Sequence, residues 1–210
     1  MLENIGRFKI LGELGRGGMA VVYKAYDPNI NRPLAIKVLL EERCANKEYR
    51  SRFLAEARAA GLLSHPNIVT IYDIGEVNDR PYIVMELLEG EPLDEHKRTT
   101  PNRSRLEDLA IGIQLAKALH YAHSRGIIHR DIKPSNIIRA KDSNNIKITD
   151  FGIAHVEDPE QQEPDGKAQG CFLLTHTSGR FRFLNQFTGF HELLTALRRA
   201  NPGVELRGCC

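Results

Sequence analysis

The chain has 210 residues, of which 41% are apolar and 27% are charged, a composition typical of a globular protein with one or two domains. Its 29 lysines and arginines nearly balance its 27 aspartates and glutamates, which argues against nucleic acid or an anionic membrane as a partner. The four cysteines lack metal-ligand spacing, and the sequence has no signal-peptide pattern and no membrane-spanning apolar run. We therefore expect a cytoplasmic protein without a membrane segment in this chain.

The first third of the chain predicts an antiparallel sheet. Over residues 8–40, apolar residues alternate or form short β-branched runs that glycine and proline interrupt. Residues 68–74 and 81–87 also have strand character, and a polar turn at residues 78–80 joins them. The sheet should therefore contain about five strands.

The segment 46–63 changes to helical spacing and predicts the first long helix. Glu56 shares the face of this helix that carries Phe53 and Ala60. An unpaired carboxylate on an apolar face is costly, so Glu56 needs a cation. Lys37, inside a strand-like apolar run, is the obvious candidate, although a lysine on a strand is usually solvated.

The second half of the chain begins with a predicted helix and a predicted strand pair, and its composition changes at about residue 156. A helix with two apolar faces is predicted over residues 106–124, and such a helix should be buried. The short runs 127–128 and 146–148 predict a strand pair that presents the polar loop between them. Residues 157–170 are acidic and rich in glutamine, a composition typical of a linker or a disordered loop. An aromatic stretch follows, and then a short predicted helix at 191–200.

Three polar segments could carry chemistry. The glycine-rich turn at residues 14–22 lies between strand-like runs, where backbone N–H groups could approach phosphates. Taken alone, it could equally be an ordinary glycine hairpin. The loop 129–136 contains Asp131 and Asn136, and Asp150 follows a strand-like run. Two carboxylates and an amide that face a phosphate cradle are what magnesium-assisted phosphoryl transfer needs.

Together these segments resemble the protein kinase family. The family's motifs occur in order as the glycine-rich turn, Leu34-Ala35-Ile36-Lys37, His129-Arg130-Asp131 with Asn136, and Asp150-Phe151-Gly152. The resemblance implies an α+β fold over residues 1–156. An antiparallel five-stranded small lobe with one long helix would occupy residues 1–88, and a partial, mainly helical large lobe would occupy residues 89–156. Residues 157–210 would form a linker and a tail unlike a kinase.

The resemblance also implies ATP and Mg²⁺ as cofactors. Lys37 would hold the α- and β-phosphates and be positioned by Glu56, Met85 would guard the back of the adenine pocket, and backbone groups of Glu86 and Leu88 would bond the adenine edge. The implied nucleotide-binding residues are Leu14, Gly15, Gly17, Gly18, Ala20, Val22, Ala35, Lys37, Glu56, Met85, Glu86, Leu88 and Ile138. Ala20 replaces the family's third glycine, which would stiffen the turn.

The catalytic roles implied by the resemblance fall on the polar loop. Asp131 would orient a serine or threonine hydroxyl of a protein substrate and accept its proton, and Lys133, typical of the serine/threonine branch, would steady the transferred phosphate. Asn136 and Asp150 would hold magnesium. Arg130 implies activation by a phosphate in the activation segment. The phrasing of the motifs is typical of bacterial members.

The sequence after Asp150 departs from the family pattern. Nothing resembling Ala-Pro-Glu follows, and the chain has no tryptophan for the Asp-x-Trp element of the large lobe. Three interpretations stay open: a kinase gene truncated or frame-shifted after the metal-binding Asp-Phe-Gly, an active enzyme with an atypical lobe, or a non-catalytic ATP-binding or interaction module.

Overall fold

The computed structural model describes residues 3–99, 105–129, 131–141, 143–151, 172–175 and 181–184. Six strands form its main antiparallel sheet in the order β1-β2-β3-β4-β6-β5. They are β1 (Asn4–Ile5), β2 (Phe8–Arg16), β3 (Ala20–Asp27), β4 (Arg32–Leu39), β5 (Ile71–Val77) and β6 (Arg80–Met85). The five predicted strands are confirmed, and the two-residue β1 adds a sixth at the edge.

The predicted polar turn between β5 and β6 is confirmed. Asn78 and Asp79 have φ angles of 50° and 58°, as a two-residue hairpin turn of type I′ requires. The strand before it begins at Ile71 and not at residue 68. Ile68 forms a parallel bridge with Ile148, and the N–H of Val69 donates to the Ile148 carbonyl at 2.9 Å. This segment therefore joins the sheet to the second half of the molecule.

One long helix packs against the main sheet. A short helix, α1 (Glu41–Cys44), precedes α2 (Lys47–Gly61). The side chain of Asn46 caps α2 by accepting from the N–H groups of Glu48 and Tyr49, at 2.9 and 3.3 Å. The predicted apolar face is buried, and Phe53 and Ala57 pack with residues of the sheet. This packing fixes the helix that carries Glu56.

The second half of the molecule is built around a buried helix. Its elements are β7 (Gly90–Pro92), α3 (Leu93–Thr99), α4 (Arg105–His123), a 3₁₀ turn (Pro134–Asn136), β8 (Ile137–Ala140) and β9 (Ile146–Ile148). One predicted apolar face of α4 is buried, with Ile111, Leu115, Ala118, Leu119 and Ala122. The second predicted face is only partly covered, because Leu106 is 73% exposed and Ile113 is partly buried. The strands form a three-stranded sheet in the order β7-β8-β9.

The strand pair predicted from residues 127–128 and 146–148 is wrong. The partner of β9 is β8, with Ile137 opposite Ile148 and Arg139 opposite Ile146. The two strands are consecutive, and the N–H of Ala140 donates to the Asn145 carbonyl at 2.9 Å across the connection between them. Ile127 instead donates its N–H to the Ala122 carbonyl at 3.0 Å, which closes the C-terminal end of α4.

The later part of the chain contains one described hairpin, β10 (Phe172–Thr175) paired with β11 (Phe181–Leu184). Arg130, Gly152, the linker 157–170 and the predicted helix 191–200 lie outside the described residues. Within the described ranges, no helix is long and apolar enough to cross a membrane. The cytoplasmic location and the boundary at residue 156 stay predictions.

Candidate active site

The register of the main sheet brings several candidate residues onto one face. Gly15 lies opposite Val22, Val22 opposite Lys37, and Ala35 opposite Met85. Residues two apart on a strand share a face, so Ala35 lies on the same face as Lys37. Val22, Ala35, Lys37 and Met85 therefore form a continuous patch across β3, β4 and β6.

The glycine-rich turn joins β2 to β3 beside this patch. The N–H of Gly17 donates to the carbonyl of Ala20 at 2.9 Å, which closes the turn. A Cβ atom at Gly15 or Gly18 would meet no atom within 4 Å, and one at Gly17 would come only to 3.7 Å from the Ala20 carbonyl oxygen. Packing among the described residues therefore does not require these glycines, and open space faces Gly15 and Gly18. Leu14, next to the turn, is 53% exposed.

Lys37 is held by two carboxylates. Its Nζ lies 2.8 Å from Oε1 of Glu56 and 2.8 Å from Oδ1 of Asp150. The side chains of Lys37 and Glu56 are only 10% and 9% exposed, so the ion pair predicted from the sequence is present and almost dry.

The electrostatics of this group follow from its burial. Burial alone would lower the pKa of Lys37, but the carboxylates of Asp150 and Glu56 outweigh it and raise that pKa above its ordinary value. Burial also raises the pKa of Glu56, which Lys37 only partly offsets. Lys37 is therefore a fixed cation on the sheet face at neutral pH.

The polar loop holds Asp131 by hydrogen bonds. Oδ2 of Asp131 accepts from Nζ of Lys133 at 2.7 Å and from Nδ2 of Asn136 at 3.1 Å, and the Asp131 carbonyl accepts from the same Nδ2 at 2.9 Å. The Asp131 and Lys133 side chains are about half exposed, at 50% and 51%, whereas Asn136 is buried. Because Nδ2 of Asn136 is used within the loop, its amide oxygen is the atom that could bind a cation.

His129 connects this loop to the segment that carries Asp150. It is buried, its Nδ1 lies 3.3 Å from the N–H of Asp131, its Nε2 lies 2.9 Å from the Thr149 carbonyl, and its ring packs 4.6 Å from that of Phe151. Burial lowers the pKa of His129. The two bonds therefore fit one neutral tautomer, with the proton on Nε2. Asp150 follows with a φ of 52°, a left-handed backbone that is uncommon outside glycine.

The remaining candidates lie on the segment that follows β6 and on β8. Glu86 and Leu88 belong to a connecting segment, residues 86–89, and Ile138 lies on β8 opposite Lys147. A cavity of about 580 Å³ is lined by this segment, by α4 and by β8. Lys37 and Asp150 are not among its lining residues.

Three polar contacts, two of Gln114 and one of Lys147, were missed from the sequence. Oε1 of Gln114 accepts from Nδ2 of Asn67 at 2.8 Å and from the N–H of Ile146 at 3.0 Å. These bonds connect α4 to the first residue of β9. Lys147 forms an ion pair with Glu86, with Nζ 2.6 Å from Oε1. A glutamine in an otherwise buried helix was a usable signal, but nothing near Lys147 in the sequence pointed to Glu86.

Residues 8–177 match the sequence profile of the protein kinase domain family. The chain belongs to this family. PrkC of Bacillus subtilis, a serine/threonine-protein kinase, is 47% identical over 149 residues, which cover 71% of this chain and 23% of that protein. PknA of Mycobacterium tuberculosis, also named a serine/threonine-protein kinase, is 38% identical over 170 residues, 79% of this chain and 39% of PknA.

A solved structure agrees with the assignment to the kinase family. The crystal structure of the kinase domain of PknI from Mycobacterium tuberculosis, a double mutant, superposes with a TM-score of 0.62 at 32% identity. The match covers 72% of this chain and 62% of the PknI chain. The resemblance to bacterial serine/threonine kinases and the kinase-like α+β fold are thus confirmed. The chain spans about a quarter of PrkC and two-fifths of PknA.

Proposed function

We propose that this kinase-family chain binds ATP with magnesium and transfers the γ-phosphoryl group to serine or threonine hydroxyls of a protein. The observation that carries the proposal is that the ammonium group of Lys37 bonds two carboxylates. Glu56 on α2 and Asp150 beyond β9 both reach its Nζ at 2.8 Å, although Asp150 is 113 residues away in the chain. A buried cation held between a helix and the end of a strand suits the phosphates of a nucleotide.

The sheet face supports an adenine site next to that cation. Val22 and Ala35 would cover the base together with Leu14, whose exposed side chain leaves it free to close over a ligand. Met85 would limit the pocket at the back, and Ile138 would lie below the base. The N–H of Glu86 already donates to the Thr70 carbonyl at 3.0 Å. Only the carbonyl of Glu86 would therefore face the adenine edge, beside backbone groups of Leu88.

The phosphates would lie under the glycine-rich turn. Gly15, Gly17 and Gly18 leave open space where side chains would otherwise stand. Backbone N–H groups in such a turn can approach phosphate oxygens closely. Ala20, buried at the start of β3, would stiffen the turn without reaching the phosphates. Lys37 would then bond the α- and β-phosphates, with Glu56 keeping its ammonium group in place.

Asp150 and Asn136 supply a donor set that fits magnesium. Magnesium prefers hard oxygen ligands and often uses one or two protein groups together with substrate phosphates. Among the described residues, no three histidine, cysteine, aspartate or glutamate side chains come together as a cage, so phosphate oxygens would complete the shell. The bound ion would neutralise charge on the transferred group.

Asp131 and Lys133 would carry the transfer step. The carboxylate of Asp131 is half exposed and held by Asn136, so an incoming hydroxyl could reach it and leave its proton there. Lys133 would stabilise the negative charge of the phosphoryl group in transit.

Phosphorylation of casein by the purified chain, with labelled ATP and magnesium, tests this proposal. We expect Asp131→Asn to lower the rate by roughly 100-fold or more, while Glu42→Gln, an exposed carboxylate on α1, leaves it unchanged. Equal labelling by the wild type and Asp131→Asn would remove the catalytic claim. Binding of a fluorescent ATP analogue that needs Lys37 but is followed by no transfer would favour the non-catalytic ATP-binding module.

A further inference from the structure

Lys147 is a charged residue that neither the kinase motifs nor the proposed catalytic roles use. Its Nζ lies 2.6 Å from Oε1 of Glu86 and 3.3 Å from the carbonyl oxygen of Ile68. The side chains of Lys147 and Glu86 are 28% and 17% exposed, so the pair is partly withdrawn from water. Such a pair is held more firmly than one on the open surface.

The partner of Lys147 is also bonded through its backbone. Oε1 of Glu86 accepts from the N–H of Thr70 at 2.7 Å, and the N–H of Glu86 donates to the Thr70 carbonyl at 3.0 Å. Glu86 is therefore fixed at three points, one of them the ammonium group of Lys147. These bonds fix the Glu86 side chain and the Met85–Glu86 peptide, which lies directly before the peptide that carries the Glu86 carbonyl.

The strand that carries Lys147 leads to the charged group around Lys37. The N–H of Ile148 donates to the Asn67 carbonyl, and the N–H of Val69 donates to the Ile148 carbonyl, both at 2.9 Å. Asp150 follows Lys147 by three residues. The ion pair thus joins the segment at the proposed adenine edge to the strand that ends at the proposed metal ligand.

We propose that Lys147 is a positioning residue that fixes the Glu86 carbonyl and so selects adenine over guanine nucleotides. The proposal rests on the proposed nucleotide-binding function. Adenine presents an amino donor at the position where guanine presents a carbonyl acceptor. A fixed carbonyl at Glu86 accepts from the first and repels the second. Without Lys147 the peptide is freer to turn, and the discrimination weakens.

Titration calorimetry with MgADP and MgGDP tests this role in the full chain. We expect Lys147→Met to weaken ADP binding about tenfold while GDP binding changes less, so that the ADP-to-GDP preference falls, a loss of about 1.4 kcal/mol for ADP. Lys147→Arg keeps a cation that can reach Glu86 and should retain most of the preference. Lys117→Met removes another lysine that lines the same cavity and is the matched control.

A double-mutant cycle with Glu86→Gln separates positioning from a general loss of charge. If the two side chains act as one unit, the double variant binds ADP no more weakly than either single variant. An unchanged ADP-to-GDP ratio in Lys147→Met would overturn the proposal. So would equal weakening of both nucleotides together with a lower melting temperature, because the pair would then only stabilise the fold. A wild-type chain that binds neither nucleotide would overturn the proposed function as well, whatever Lys147 does.

Discussion

The two halves of the candidate site differ in how they hold their charges. On the sheet side, Lys37 and Glu56 are 10% and 9% exposed and are positioned by strand register and helix packing. On the loop side, Asp131 and Lys133 are 50% and 51% exposed and are positioned by hydrogen bonds within one loop. The charges on the sheet side are thus part of the buried core, whereas those on the loop side lie at its surface.

Because of this difference, the two halves should control different properties of the protein. A buried charge that loses its partner pays its full desolvation cost, whereas an exposed one returns to water. Changes on the sheet side should therefore alter stability and nucleotide binding together. Changes to the exposed charges of Asp131 and Lys133 on the loop side should alter the chemical step alone. Asp150 belongs to both halves, because it bonds Lys37 and yet is 44% exposed.

Removing the packing beside Glu56 should have the largest effect on the sheet side. Phe53 is fully buried on the same face of α2 and packs with Leu39 and Ile83. We expect Phe53→Ala to lower the free energy of unfolding by about 3–5 kcal/mol and to abolish nucleotide binding. Urea unfolding followed by circular dichroism measures the loss. Leu62→Ala, at a residue that is 70% exposed, should change it by less than about 0.5 kcal/mol.

Neutralising one carboxylate in each half should affect stability differently. Glu56→Gln leaves Lys37 buried with only Asp150 as a charged partner, so we expect a loss of about 1–3 kcal/mol in unfolding free energy and weaker nucleotide binding. Asp131→Asn should change stability by less than about 0.5 kcal/mol, while the rate of phosphoryl transfer falls by roughly 100-fold or more. Similar stability losses in the two variants would contradict the division into halves.

The sequence predicted the sheet side better than the connections between the halves. The ion pair of Lys37 with Glu56 followed from two local patterns, an apolar strand and a helix face. The contact between Lys147 and Glu86 depends on which strand pairs with β9, and the sequence pattern favoured residues 127–128 for that place. Short apolar runs do not specify their partners, and periodicity alone does not distinguish residues 127–128 from Ile137–Ala140 as the strand opposite β9.

His129 differs from Asp131 and Lys133, because it lies on the loop side but is buried. Burial lowers its pKa below the ordinary value of 6.5, so the folded chain binds fewer protons there than the unfolded chain. Its contribution to stability is complete above pH 6.5 and is lost as the pH falls towards the lowered pKa. Unfolding at about pH 5 should therefore need less urea than at about pH 7.5.

His129→Gln identifies the residue behind this pH dependence. The glutamine amide keeps one donor and one acceptor but does not titrate. We expect the difference in unfolding free energy between the two pH values to shrink in this variant. It should not vanish, because burial also lowers the pKa values of His65 and His123. An unchanged pH dependence would show that His129 does not contribute to it.

The smallest expected effect comes from the start of the helix that carries Glu56. The side chain of Asn46 accepts from the N–H groups of Glu48 and Tyr49, and loss of such a cap costs about 1 kcal/mol. Asn46→Ala should therefore lower the unfolding free energy by about that amount. Asn46→Asp keeps the acceptor and should retain the wild-type unfolding free energy. Because Glu56 lies more than two turns further along α2, nucleotide affinity should stay at the wild-type value. A parallel loss of affinity in Asn46→Ala would mean that fraying at the start of α2 reaches Glu56, so that the helix as a whole, and not its packed face, positions the carboxylate that holds Lys37.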